Sequence, residues 1–116
     1  MEQERFPISE RRVLTFAEGE VLGHSHRWEG GQYCSITTPV GIVGCGIYDV
    51  SVADEFGMAF ALAKGTPGKP LIQPEDLLDA KIVKVSAKAR RMGISEGMAG
   101  AEAVRCMLLA AAKQDD

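Results

Sequence analysis

The sequence lacks the features that would commit it to a membrane, a disulfide framework or a metal cluster. Its longest apolar runs, Met58–Ala63 and Cys106–Ala112, fall far short of the ~20 residues that a spanning helix needs. The first twelve residues are rich in charge and have no apolar leader core, so no sorting signal and no membrane partner are expected. Cysteine is scarce: Cys34, Cys45 and Cys106 are an odd number without metal-type spacing. Free thiols in a reducing cytoplasm are the simplest expectation. Basic residues do not dominate either. Thirteen Lys and Arg against sixteen Asp and Glu leave a net charge of −3, which argues against unspecific nucleic-acid binding. The local cluster Lys81, Lys84, Lys88, Arg90 and Arg91 reads as a solvated helix face.

What is present is an ordinary globular composition. The 46% hydrophobic content over 116 residues is enough for one domain with its own core. Residues 1–12 read as a polar N-terminal arm, and 13–116 as a single domain. Val13, Thr15 and Ala17 alternate with Leu14 and Phe16. Glu18-Gly19-Glu20 turns, and Val21, Leu22, His24 and His26 continue as a strand. After the turn at Trp28–Gln32, Tyr33–Thr38 is rich in β-branched and aromatic residues. Thr38-Pro39-Val40-Gly41 turns again, and Ile42–Val50 returns, giving an antiparallel meander. A short helix at 52–56 and a buried strand at 58–64 follow. Gly65–Pro70 is a loop that lacks phosphate-loop spacing and reads as a plain connector.

The C-terminal part reads as helical. Pro74, Glu75 and Asp76 are suited to a helix start, and Asp79 to capping a second helix. Ile82, Val85, Ala89 and Met92 recur at helical steps, while the alternation of Val83, Val85, Ala87 and Ala89 keeps a strand open for 82–86. Gly93 followed by Ile94 is a C-terminal stop. A last helix is expected from about Ala99 to Lys113. The expected class is α+β, an antiparallel sheet of four or five strands with two or three helices mainly on one face.

Two blocks stand out, Gly41-Ile42-Val43-Gly44-Cys45-Gly46-Ile47-Tyr48-Asp49-Val50 and Gly93-Ile94-Ser95-Glu96-Gly97-Met98-Ala99-Gly100-Ala101-Glu102-Ala103-Val104. In this order and at this separation they resemble the YunC-like family of small bacterial and archaeal proteins of unknown function. In that family a Cys-Gly-x-x-Asp motif ends a strand and a Gly-Met-x-Gly-x-Glu-Ala motif opens the final helix. Asp76-Leu77-Leu78 has a counterpart there too. The resemblance covers roughly residues 18–109. It implies a compact α+β domain in an intracellular setting and supplies no activity, substrate or cofactor. The segment between Asp49 and Gly65 is shorter than the family pattern, which leaves little room for a helix before the fourth strand.

The residues themselves offer three candidate chemistries. Cys45 is a candidate nucleophile with Asp49 as orienting or acid–base group. On a regular strand the two would lie about 13 Å apart, so a bulge at Gly46 would have to join them. A carboxylate alone would also raise the thiol pKa, whereas the positive end of the last helix, Gly97–Gly100, would lower it. The structural alternative is a small buried Cys45 and a capping Asp49. His24 and His26 face one side of a strand, the geometry of a two-histidine metal platform. Glu20, Glu29, Cys34 and Asp49 are the candidates for a third ligand, and an edge or solvent-facing position is the alternative. Glycines can also admit a ligand, making Gly44, Gly46, Gly97, Met98, Gly100 and Glu102 candidate ligand contacts. Glu102 equally suits the helix dipole. The leading expectation is a small self-associating ligand-binding or interaction domain; a Cys45 enzyme and a His24/His26 metal protein are the rivals.

Overall fold

The computed structural model describes residues 5–114. Its six strands are β1 (Ile8–Phe16), β2 (Gly19–Trp28), β3 (Gly31–Thr37), β4 (Gly41–Cys45), β5 (Ala59–Ala63) and β6 (Ile82–Val85). Four helices interleave with them: α1 (Val50–Glu55), α2 (Asp76–Asp79), α3 (Ala87–Arg91) and α4 (Gly100–Gln114). The strands form one sheet in sequential order. The α+β class is as expected, with one strand more than the upper expectation.

The sheet is mixed and not purely antiparallel. β1 to β4 form the meander, but β4 and β5 run parallel. The reason is α1, which carries the chain back along the sheet before β5 begins. A parallel neighbour needs such a crossover, whereas a hairpin delivers only antiparallel pairing. α1 fits the short segment because it is less than two turns long and is well capped. Asp49 accepts from Ser51 N–H at 2.9 Å and from Ser51 Oγ–H at 2.6 Å.

Three boundaries depart from the sequence reading. β1 takes in residues 8–12, half of the expected polar arm, because Ile8 to Arg12 pair in register with Arg27 to Gly23 of β2. Residues 1–4 of that arm lie outside the described residues. The strand expected over Ile42–Val50 stops at Cys45, where Gly46–Tyr48 turns and Tyr48 N–H meets Cys45 C=O. The apolar stripe from Ile82 to Met92 is also not one helix. Ile82–Val85 is β6, and Ser86 caps the separate helix α3. Two turns of helical spacing and a strand followed by a helix share the same positions here, and pairing with β5 decides between them. Asp79 accordingly ends α2 and starts no second helix.

The core lies on one face of the sheet. Cys34, Ile36, Val43, Ala61 and Ala63 meet Leu77 of α2 and Val104 and Met107 of α4, all buried. Alternation along each strand sends the neighbours to the other face, where His26, Tyr33, Tyr48 and Phe60 form a row of successive ring contacts. α2 is one turn long, too short to hold itself, and is fixed by its neighbours. Arg12 grips Glu75 with two hydrogen bonds of 2.6 Å and Gln73 with one of 2.7 Å. Buried Ser25 donates to Ile72 C=O at 2.9 Å. Among the described residues no helix is long and apolar enough to cross a membrane.

Candidate functional site

Cys45 is the last residue of β4, and its ladder leads to an unexpected neighbour. β3 and β4 pair as Ser35 with Gly44, Ile36 with Val43 and Thr37 with Ile42. One further step of that register sets Cys34 opposite Cys45. Thr38 N–H donates to Gly41 C=O at 2.8 Å, and hydrogen-bonded pairs recur at every second position of an antiparallel ladder. Cys34 and Cys45 therefore lie across from each other just past the last paired residues, where antiparallel neighbours hold their Cα atoms about 4.5–5.5 Å apart. Cys34 is fully buried and Cys45 is 7% exposed; both are free thiols.

The two thiols interact directly. Hydrogen bonding from Cys34 brings the Cys45 thiol down to about 6, against the upward pull of burial. The backbone N–H groups of Ile47, Cys34 and Cys45 add to the lowering. The same hydrogen bond, with burial, drives Cys34 far up. The two thiols thus shift in opposite directions and titrate as a coupled pair.

Asp49 has no part in this arrangement. It is exposed, it caps α1, and Ser51 holds its carboxylate below the usual range. The strand ends before Asp49, so the bulge needed to fold it back onto Cys45 does not form. The opening of α4 does not supply the stabilising charge either, since the donors to Cys45 come from β3 and from its own turn.

The second block serves packing. Gly97 has φ +92°, and its N–H donates to Ile82 C=O at 2.8 Å. Met98 C=O accepts from Ile82 N–H at 2.8 Å, and Gly100 N–H donates to Ala80 C=O at 2.9 Å. A Cβ on Gly100 would run into Leu77 O of α2. What approaches Gly100 closely is therefore this chain's own backbone, whereas Gly97 serves the positive φ of its turn. Glu102 lies exposed in the first turn of α4, where its charge suits the helix dipole. Gly44 is covered by the Tyr48 ring, whereas Gly46 would tolerate a Cβ, with Ala63 O at 3.7 Å as the neighbour.

His24 and His26 do share one side of β2, their rings nearly parallel and 6.4 Å apart. His26 stacks on Tyr33 at 4.6 Å and its Nδ1 meets Ser9 Oγ at 2.9 Å. Burial, then the neighbouring His26 and Arg11, lower the His24 pKa. Among the described residues no third His, Cys, Asp or Glu joins them to hold a metal. Cys34, one of the proposed third ligands, faces the core on the opposite side of the sheet.

A cavity opens at the loop that the sequence reads as a connector, with anion binding as the lesser alternative. It measures about 280 Å³ and lies beyond the carboxyl end of β5, between the 64–71 loop and α2. Lys64, Lys69 and Lys81 are among the residues that line it, and Leu71, Pro70 and Ala80 make it partly apolar. Asp76 and Asp79 also line it, but Asp76 Oδ2 already accepts the N–H groups of Ile72 and Gln73. β4 and β5 are the parallel pair, so Cys45 and Lys64 leave the sheet at the same end. Ligand sites of sheets with parallel strands lie outside such carboxyl ends. The three lysines are scattered over eighteen positions, so no local motif could announce them.

Comparison with known proteins supports the fold and supplies a family. No curated protein is significantly similar to the chain. A crystal structure of TA1206, a protein of unknown function from Thermoplasma acidophilum, superposes with a TM-score of 0.78 at 17% identity. The match covers 91% of this chain and 99% of that one. Residues 44–107, more than half of the sequence, match the domain of unknown function DUF1805. The chain, whose paired glycine blocks resemble the YunC-like proteins, therefore belongs to the DUF1805 family.

Proposed function

We propose that this small domain binds an anionic organic molecule in the cavity beyond β5. The observation that carries the reading is the convergence of Lys64, Lys69 and Lys81 on a partly apolar cavity at the carboxyl end of the parallel pair. At about 280 Å³ the cavity is near the lower end of the usual range for ligand sites, which suits a small carboxylate or phosphate ester. The ammonium groups would fix the anionic group, and Leu71 and Pro70 would cover a short carbon skeleton. The reading keeps the ligand-binding expectation and moves its residues away from Gly97–Glu102.

A thermal-shift screen of mono- and dicarboxylates and phosphate monoesters, with neutral isosteres as controls, tests this. Binding should raise Tm by several degrees at roughly a hundredfold excess over Kd. Lys64→Glu combined with Lys81→Glu should abolish the shift without lowering the ligand-free Tm, because both side chains are exposed. Equal shifts from the neutral isosteres, or a variant that binds like the parent, would remove the anion site.

A second reading, self-association, draws on the other end of the sheet. Val13 and Leu22 oppose each other across β1 and β2 and are 55% and 36% exposed; Trp28 is 42% exposed. The β1 edge beside them is nine residues long and open to pairing. Light scattering over a concentration series should show a dimer that Val13→Asp dissociates. A monomer at every concentration counts against it.

A further inference from the structure

We propose that Cys34 and Cys45 form a redox-active dithiol that reduces a small hydroperoxide and closes to an intrachain disulfide. This inference is independent of the cavity and its ligand. It rests on the register of β3 and β4, the direct contact of the two thiols, and their unequal exposure.

The register supplies the distance. Antiparallel neighbours hold their Cα atoms about 4.5–5.5 Å apart, inside the 4.4–6.8 Å range that disulfides span. The side chains point to the same face and already share a hydrogen. Burial supplies the order of events. Cys45, at the strand end, is the more exposed thiol, so it meets the oxidant. Cys34, fully buried and protonated, is the resolving partner. A thiol only 7% exposed favours hydrogen peroxide or another small hydroperoxide over a bulky disulfide.

The chemistry balances with the hydroperoxide as two-electron oxidant. The Cys45 thiolate attacks the terminal peroxide oxygen, the O–O bond breaks, and the alkoxide or hydroxide leaves with a proton from water. Cys45 becomes a sulfenic acid. Cys34 sulfur then attacks the Cys45 sulfur and the S–O bond breaks. Hydroxide departs with the Cys34 proton as water. Two thiols and one ROOH give one disulfide, one ROH and one H₂O. An external dithiol reverses the closure by exchange.

The glycines beside Cys45 bear on that closure. Side chains of antiparallel neighbours have Cβ atoms about 4.5–5.5 Å apart, while a disulfide wants about 3.8 Å. The strands must draw together locally. Cys45 is at the end of its strand, and Gly46, next along the chain, has no side chain to obstruct the shift. A bond closed in this way is readily reduced.

Tryptic digestion reads the outcome directly. No Lys or Arg lies between Arg27 and Lys64, so one peptide carries both cysteines, and Cys106 falls on another. Treating the native protein with hydrogen peroxide near equimolar amounts should remove two hydrogens from the 28–64 peptide. That peptide should then resist alkylation until dithiothreitol is added, while Cys106 stays free. Peroxide consumption should match disulfide formed, one to one. In Cys34→Ala the reaction should stop at an oxygen adduct on Cys45, trapped by dimedone. In Cys45→Ser peroxide consumption should fall at least tenfold. Should either variant misfold, the parent protein decides alone. Two alkylatable thiols in 28–64 after peroxide, or a disulfide through Cys106 or between chains, would overturn the proposal.

Discussion

Gly100→Ala should lower Tm by more than about 15 °C. The first residue of α4 packs so tightly on the last turn of α2 that an added Cβ would overlap Leu77 O, a backbone atom with no rotamer to yield. Relief requires α4 to move away from α2. That would open the contact among Leu77, Val104 and Met107, each fully buried, and break the Gly100–Ala80 hydrogen bond of 2.9 Å. The cost should exceed about 4 kcal/mol, a large part of the ~5–15 kcal/mol that holds a typical domain together. Gly46→Ala is the control. Its added Cβ would meet Ala63 O at an ordinary 3.7 Å, and Gly46 is not in the left-handed region. It should cost less than about 1 kcal/mol. Circular dichroism melts of both variants decide the matter. A cooperative transition for Gly100→Ala within a few degrees of the parent would show that the α2–α4 contact can slide.

Ser86→Ala should lower Tm by on the order of 10 °C, although it removes a single oxygen atom. Ser86 is fully buried, and its Oγ ties α3 to the start of β5. It donates to Met58 C=O at 2.8 Å and accepts from Phe60 N–H at 2.9 Å, both at the start of β5. It also accepts from Ala89 N–H at 3.3 Å as the cap of α3. Loss of the cap costs about 1 kcal/mol, and the backbone groups left without Oγ cost about 1–3 kcal/mol between them. Ser86→Thr, which keeps the oxygen, should recover part of the loss. A melt unchanged in Ser86→Ala would mean that Ser86 N–H to Phe60 C=O, at 2.9 Å, suffices to hold this junction.

The candidate site was legible in part. Cys45 stood out because it lies between two glycines in an apolar run. Its true partner did not, because Cys34 is eleven residues away with a turn between them. Asp49 was the nearer carboxylate in sequence, but a strand that ends at Cys45 sends it to a helix cap. Of the glycines of the second block, Gly100 is a point of close approach and Gly97 is not. What approaches, the carbonyl of Leu77, belongs to a helix of one turn, whose position tertiary contacts set.

Local sequence alone determined the class, the meander, the last helix and the family, because alternation, turn residues and ordered glycine blocks are short-range signals. Three matters were left to the tertiary structure. Pairing with β5 made residues 82–85 a strand, since strand and helix patterns coincide over four residues. The α1 crossover made β4 and β5 parallel, which set Cys45 and the lysine cavity at one end of the sheet. The register of β3 on β4 set Cys34 against Cys45. Register depends on every side chain along both strands at once, and so no single segment carries it.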